Sequence, residues 1–184
     1  MTGIGTKYLS IVISGTPVSG KSTLAKELSK QYSWPIHSLG GLWRARYAEL
    51  HPNKDITFEE FWSKTTLEEN KEMNVQAKVL FEKGGVIGES RYVSYLDTSK
   101  CLLVFVAADI GIRVERSQER DEYKGKAADE IRSILERREA DELRLGQSIF
   151  GMDYRNHLGY HLVLNSGKMT VKQEIEAVNA LMRK

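Results

Sequence analysis

Between Tyr8 and Tyr32 a short apolar, β-branched run passes directly into Gly15-Thr16-Pro17-Val18-Ser19-Gly20-Lys21-Ser22-Thr23. Beyond it lies a stretch whose apolar residues Leu24, Ala25 and Leu28 recur at helical spacing. No other feature of the chain restricts its fold as strongly. Tyr8–Ser14 has the composition of a buried strand, and Gly15 and Gly20 stand where the backbone must turn sharply. The segment matches G-x-x-x-x-G-K-[ST] in the strand–loop–helix setting that gives the pattern its meaning. Each residue type has a chemical reason. Successive loop N–H groups converge on phosphate oxygens, and the amino end of the following helix adds partial positive charge. Lys21 suits the β- and γ-phosphates, the Ser22 hydroxyl suits Mg²⁺, and Thr23 suits the α-phosphate. Gly15 to Thr23 is therefore expected to hold a nucleoside triphosphate.

The rest of the chain alternates in the same way. Ile36–Ser38, Gly85–Gly88, Cys101–Ala108 and Tyr160–Leu164 read as short strands. Leu42–Phe81 reads as helical with a break around His51–Asp55, and Thr57 followed by Glu60 reads as a capping box. Ile110–Glu122, Ala127–Leu145 and Val171–Met182 read as charged, periodic helices. Strands alternating with helices imply βαβ crossovers and a parallel sheet covered on both faces. The expected fold is a three-layer α/β domain with a five-stranded parallel sheet, occupying residues 1–184 as one unit.

Composition narrows the function. With 184 residues, one domain is expected. The chain carries 27 Lys+Arg against 25 Asp+Glu. Such a balance offers no broad basic surface for nucleic acid or an anionic membrane. No apolar run is long enough to span a bilayer. The single cysteine, Cys101, excludes an internal disulfide and a multi-cysteine zinc site, and it reads as a buried small residue. A cytoplasmic protein is expected, with a monomer favoured.

A second set of residues suits a phosphate acceptor. Ser38 and Arg44 follow the second strand; Arg44 can fork onto a phosphate and Ser38 can bond a base or sugar, or simply cap a helix. Glu89 and Arg91 follow the third strand, at the carboxyl edge where open α/β sheets bind ligands. Arg91 suits an acceptor phosphate, and Glu89 can hold Mg²⁺ through water. Arg116 and Arg120 lie four apart on one helix. Arg137, Asp141 and Arg144 share one face of the next helix. Their charges are interleaved, as on a solvated surface or on a lid that closes over transferring phosphates. His157 and His161 lack a third metal-ligating neighbour at suitable spacing. Trp34, Trp43 and Trp62 read as core aromatics.

The order of these elements resembles the cytidylate kinase family of nucleoside monophosphate kinases, particularly its short archaeal-type members. The resemblance spans nearly the whole chain. It rests on Gly15–Thr23, Ser38-x-Gly40-x-x-x-Arg44, Gly88-Glu89-Ser90-Arg91, Arg137-x-x-x-Asp141-x-x-Arg144 and the run Tyr160–Ser166. It implies a P-loop kinase fold with a helical acceptor-binding region at about residues 38–81 and a lid at about 120–137. It also implies transfer of the ATP γ-phosphoryl group, with Mg²⁺, to CMP or dCMP. Lys21, Arg91, Arg137 and Arg144 would act on the transferring phosphates. Arg116 and Arg120 would join the loop in binding ATP, and Ser38, Arg44, Arg91, Arg137, Asp141 and Arg144 would bind the acceptor. Another small-molecule or adenylate kinase, and a slowly hydrolysing ATP-binding switch, are the alternatives. The chain departs from larger bacterial members at Tyr92, where they carry an aspartate, and from the usual pattern of relatives at Val18, in place of glycine or alanine, and at Asn165-Ser166, in place of Asp-Thr or Asp-Ser.

Overall fold

The computed structural model describes residues 6–93 and 95–183. β1 (Ser10–Gly15) is wholly buried and forms the axis of the sheet. β4 (Cys101–Ala107) lies along one side of it, and β3 (Ile87–Glu89) along the other. β2 (Ile36–Ser38) and β5 (Leu162–Asn165) complete a five-stranded sheet in the order β2-β3-β1-β4-β5. Every pairing is parallel. The α/β class and the parallel five-stranded sheet agree with the sequence expectation.

Alternation along the central strands supplies a core on both faces. Ile11 and Ile13 of β1, with Leu102, Val104 and Val106 of β4, pack with α1 (Lys21–Tyr32) and α7 (Val171–Met182). Val12 and Leu103 point the other way, onto Phe81 and Ala77 of α4 (Leu67–Lys83). Burial on both sides explains why these strands read as continuous apolar runs. Cys101 sits in this second cluster, fully buried, and accepts a hydrogen bond from Ser10 at 3.3 Å.

Helical segment 39–83 contains two breaks where the sequence indicates one. α2 (Leu39–Leu50) ends before the expected turn, α3 (Phe58–Ser63) is short, and α4 begins after a second interruption. The expected capping box at Thr57 and Glu60 opens α3. An equivalent box at Thr66 and Glu69 opens α4, and its two reciprocal bonds to the backbone are the reason for the second break. Further on, α5 is Ile110–Gln118, shorter than expected, and is followed by a 3₁₀ turn at Asp121–Tyr123. α6 (Ala128–Phe150) runs past Leu145 and stops where Gly151 takes a left-handed conformation. Among the described residues no helix is long and apolar enough to cross a membrane.

Candidate active site

A parallel sheet brings the carboxyl ends of all its strands to one edge, and the loops there assemble the site. Gly15 ends β1 with φ +144°, and a Cβ on it would lie 2.0 Å from the Val106 carbonyl oxygen of β4. Glycine is thus required for the loop to leave the sheet beside its neighbour. Gly20, at φ +99°, is the N-cap of α1 and gives no side-chain cap to the helix. Among the described residues, the N–H groups of Val18, Gly20, Lys21 and Ser22 make no hydrogen bond. The buried hydroxyls of Thr16 and Ser19 also lack partners. Free N–H groups, unsatisfied hydroxyls and a helix amino end together form an anion cradle.

Lys21 folds back over this cradle, donating to the carbonyl oxygens of Gly15 at 2.9 Å and Thr16 at 2.7 Å. Burial, followed by repulsion from Arg91, holds its ammonium well below the usual lysine pKa. A group so placed favours an incoming anion, which restores the charged form. Ser22 donates to Glu89 Oε2 at 2.7 Å, so the two expected metal-side oxygens meet at the mouth of the loop.

Arg91 reaches the same place from the end of β3. Its guanidinium donates to the Gly15 carbonyl oxygen and grips Glu142 of α6 with two nitrogens, Nη2 at 2.7 Å and Nε at 2.7 Å. Tyr92 is buried and donates to the Glu142 carbonyl at 2.6 Å. Its ring lies against Gly146, where a Cβ would come within 2.6 Å of it. Tyr92 thus fastens α6 over the carboxyl edge.

The face that α6 turns inward carries Ile131, Leu135, Glu139, Glu142 and Gly146. Glu139 bonds Arg113 at 3.0 Å and Arg155 at 3.1 Å, and Arg138 adds a contact to Glu142 at 3.3 Å. Sequence reasoning missed Arg113, Arg138, Glu139, Glu142 and Arg155. Arg137, Asp141 and Arg144 do share a face, as their spacing requires, but it is the outward one. Asp141 and Arg144 pair with each other, their side chains 55% and 77% exposed, and Arg137 is exposed as well. The inward stripe could have been found from Ile131 and Leu135, which fix the phase of the helix.

At the end of β2, Ser38 lies in register with Glu89, and its Oγ accepts from Gly41 N–H at 2.9 Å as the N-cap of α2. Arg44 is exposed and lies back over Gly40. Behind the loop, Arg116 donates to Ser166 Oγ at 2.9 Å, to the Ser166 carbonyl at 2.8 Å and to the Ser19 carbonyl at 3.3 Å. A cleft of about 490 Å³ opens there, lined by Gly20, Thr23, Arg116, Arg120, Ser166 and Glu174 among others. Val18, with φ +59°, packs its side chain among Val114, Tyr123, Ile131 and Leu135, tying the loop to the segment around residues 120–137. His161 accepts from the Leu103 N–H and His157 lies on Phe105. Among the described residues no group of three or more His, Cys, Asp or Glu side chains is placed to hold a metal.

Cytidylate kinase of Archaeoglobus fulgidus is 28% identical over 175 residues, covering 92% of each chain. A crystal structure of a protein from Eubacterium ventriosum superposes with a TM-score of 0.66 at 16% identity, covering 94% of this chain and 96% of that one. Shikimate kinase from Bacteroides thetaiotaomicron superposes with a TM-score of 0.58 at 15% identity, covering 94% and 97%. These two structures show the fold. The sequence model of the cytidylate kinase-like family matches residues 10–168, and the chain belongs to that family.

Proposed function

We propose that the protein transfers the γ-phosphoryl group of ATP to the phosphate of CMP or dCMP, producing CDP or dCDP and ADP. The observation that carries this reading is the meeting of Arg91 with the phosphate loop at the Gly15 carbonyl. A phosphate-binding arginine beside a triphosphate cradle suits an acceptor that itself bears a phosphate. Such an acceptor is already a nucleophile, so no strong general base is needed. Catalysis is then positioning and charge neutralisation. Lys21 would leave its two carbonyls for the phosphates of ATP. Ser22 and Glu89 would hold Mg²⁺, Glu89 through water, with the nucleotide phosphates supplying the remaining oxygens. That ion would neutralise charge that develops on the phosphates.

Ser38 and Arg44, with the helices of residues 38–81, would form the acceptor region. Residues 120–137 would form the lid that keeps water from the γ-phosphate, and their packing on Val18 supports this assignment. Arg116 and Arg120 line the cleft beside the loop and would border the nucleoside of ATP. On this reading the α6 groups nearest the transferring phosphate are those paired with Arg91, and the outward Arg137, Asp141 and Arg144 would reach the acceptor only if α6 turned. The reading places the enzyme in the cytoplasm. Its test is a screen of nucleoside monophosphates with ATP and Mg²⁺. Cytidine monophosphates should raise ADP release far above the rate with water alone, and an ATP-binding switch would ignore them.

A further inference from the structure

The cleft behind the phosphate loop ends in a carboxyl group whose hydrogen-bonding capacity is left unused. Glu174 stands near the start of α7, on the stripe that continues with Val178 and Met182 against α1. It is 2% exposed, it lines the cleft with Gly20, Thr23 and Arg116, and its Oε1 has no hydrogen-bond partner. A buried carboxyl oxygen without a donor opposes folding, and native proteins retain few of them. Leucine or methionine would extend the apolar stripe at this position without that cost. Arg116 is the nearby cation, yet its guanidinium is committed to Ser166 and to the Ser19 carbonyl. Burial raises the carboxyl's pKa while Arg116 opposes the rise, and the ionised carboxyl, unlike an amide, can only accept hydrogen bonds.

Gly20 and Thr23 belong to the phosphate loop and also line the cleft. A triphosphate on the loop therefore leaves its nucleoside in this space, whose size suits a small-molecule site. Met169 and Val171 offer apolar surface to the faces of a ring. Among the described residues of the wall, Glu174 Oε1 is the buried polar atom left without a partner, whereas Glu119 and Arg120 on the same wall are exposed to solvent. We propose that Glu174 reads the base of the phosphoryl donor, accepting a hydrogen bond from an exocyclic amino group and so selecting a 6-aminopurine over a 6-oxopurine. This rests on the reading of the loop as the ATP site. A 6-oxopurine would set a carbonyl against the carboxyl oxygen, leaving two acceptors facing each other.

The test is calorimetric binding of ATP and of ITP, which differs in carrying oxygen for the amino group, to the wild type, Glu174→Gln and Glu174→Leu. The wild type should prefer ATP by roughly tenfold to a hundredfold, the range of one hydrogen bond to a charged group. Glu174→Leu should weaken ATP binding and bring the two nucleotides to within about twofold of each other. Glu174→Gln, whose amide presents either an oxygen or an N–H, should keep ATP binding and gain ITP binding. This gain is a change that a merely structural role would not produce, and it decides the matter if the leucine variant does not fold. KM for CMP should stay at the wild-type value in both. An ATP-to-ITP ratio unchanged in Glu174→Gln overturns the assignment of Glu174 alone, provided the wild type binds ATP. A wild type that binds neither nucleotide overturns this assignment and the ATP site together.

Discussion

The Ser22 hydroxyl donates to Glu89 Oε2 at 2.7 Å, joining the first turn of α1 to the carboxyl end of β3. Sixty-seven residues apart in the chain, they meet because β1 and β3 are parallel neighbours. Both are oxygen donors suited to Mg²⁺, and the bond holds them at the mouth of the loop. Ser22→Ala should raise the Mg²⁺ concentration needed for half-maximal activity, and Glu89→Gln should do so too. A Mg²⁺ titration of turnover checks this; an unshifted midpoint in both variants would remove these residues from the metal site.

Arg91 and Glu142 form a two-pronged ion pair, with side chains only 16% and 18% exposed. Removing one partner of this part-buried pair leaves the other charge less well compensated, at a cost of up to about 3–5 kcal/mol. Glu142→Ala should therefore lower Tm measurably. Arg91→Lys retains the charge and loses the planar fork. It should raise KM for the acceptor more than KM for ATP. Equal increases in both would make Arg91 a group shared by the two substrates.

Asp141 and Arg144 pair on the outward face of α6. An exposed pair of this kind is worth at most about 1 kcal/mol. Asp141→Ala should change stability little and leave the ratio of kcat/KM for CMP over AMP at the wild-type value. A sharp loss of discrimination would show that α6 turns this face toward the acceptor during turnover.

Four tyrosine hydroxyls lie buried around the carboxyl edge of the sheet. Burial pushes Tyr95 and Tyr160 up to about 12, and raises Tyr92 and Tyr154 further. In the unfolded chain these phenols ionise near 10. The unfolded state then binds fewer protons than the folded state above that pH, so stability falls as pH rises. Its contribution is complete below about pH 10 and lost on rising through about pH 12, at roughly 1.4 kcal/mol per pH unit for each phenol. Lys21, whose pKa is lowered by folding, makes stability rise with pH until the unfolded lysine also deprotonates at about 10.4. Above that pH thermal melts should decline, with phenolate absorbance appearing on unfolding. Phenolate absorbance at ordinary tyrosine pH in the folded protein would contradict this.

The sheet was legible because its strands are buried on both faces, so Ile11–Ile13 and Leu102–Val106 stand out as apolar runs. The loop was legible because its chemistry needs glycine and lysine at fixed spacing. α6 was harder to read. The spacing of Arg137, Asp141 and Arg144 showed that they share a face, and only Ile131 and Leu135 show that this face points away from the sheet. Glu139 and Glu142 lie on the buried stripe, where carboxylates persist because Arg91, Arg113 and Arg155 meet them. Those partners come from other elements and have no local signature. Glu174 escaped notice for the same reason, since its surroundings are made by α1 and α5 rather than by its own helix.

The central claim is that a phosphoryl group leaves ATP on this loop and arrives on a cytidine monophosphate. The measurement is to supply ATP labelled at the γ-phosphate with CMP and Mg²⁺, and to follow where the label goes. The wild type should place it in CDP. Lys21→Ala, lacking the ammonium now held by the Gly15 and Thr16 carbonyls, should do so a hundredfold to a thousandfold more slowly, a loss of about 2.7–4 kcal/mol of barrier stabilisation, while keeping its fold by circular dichroism. Label released only as inorganic phosphate, or transfer equally fast without Lys21, would contradict the account.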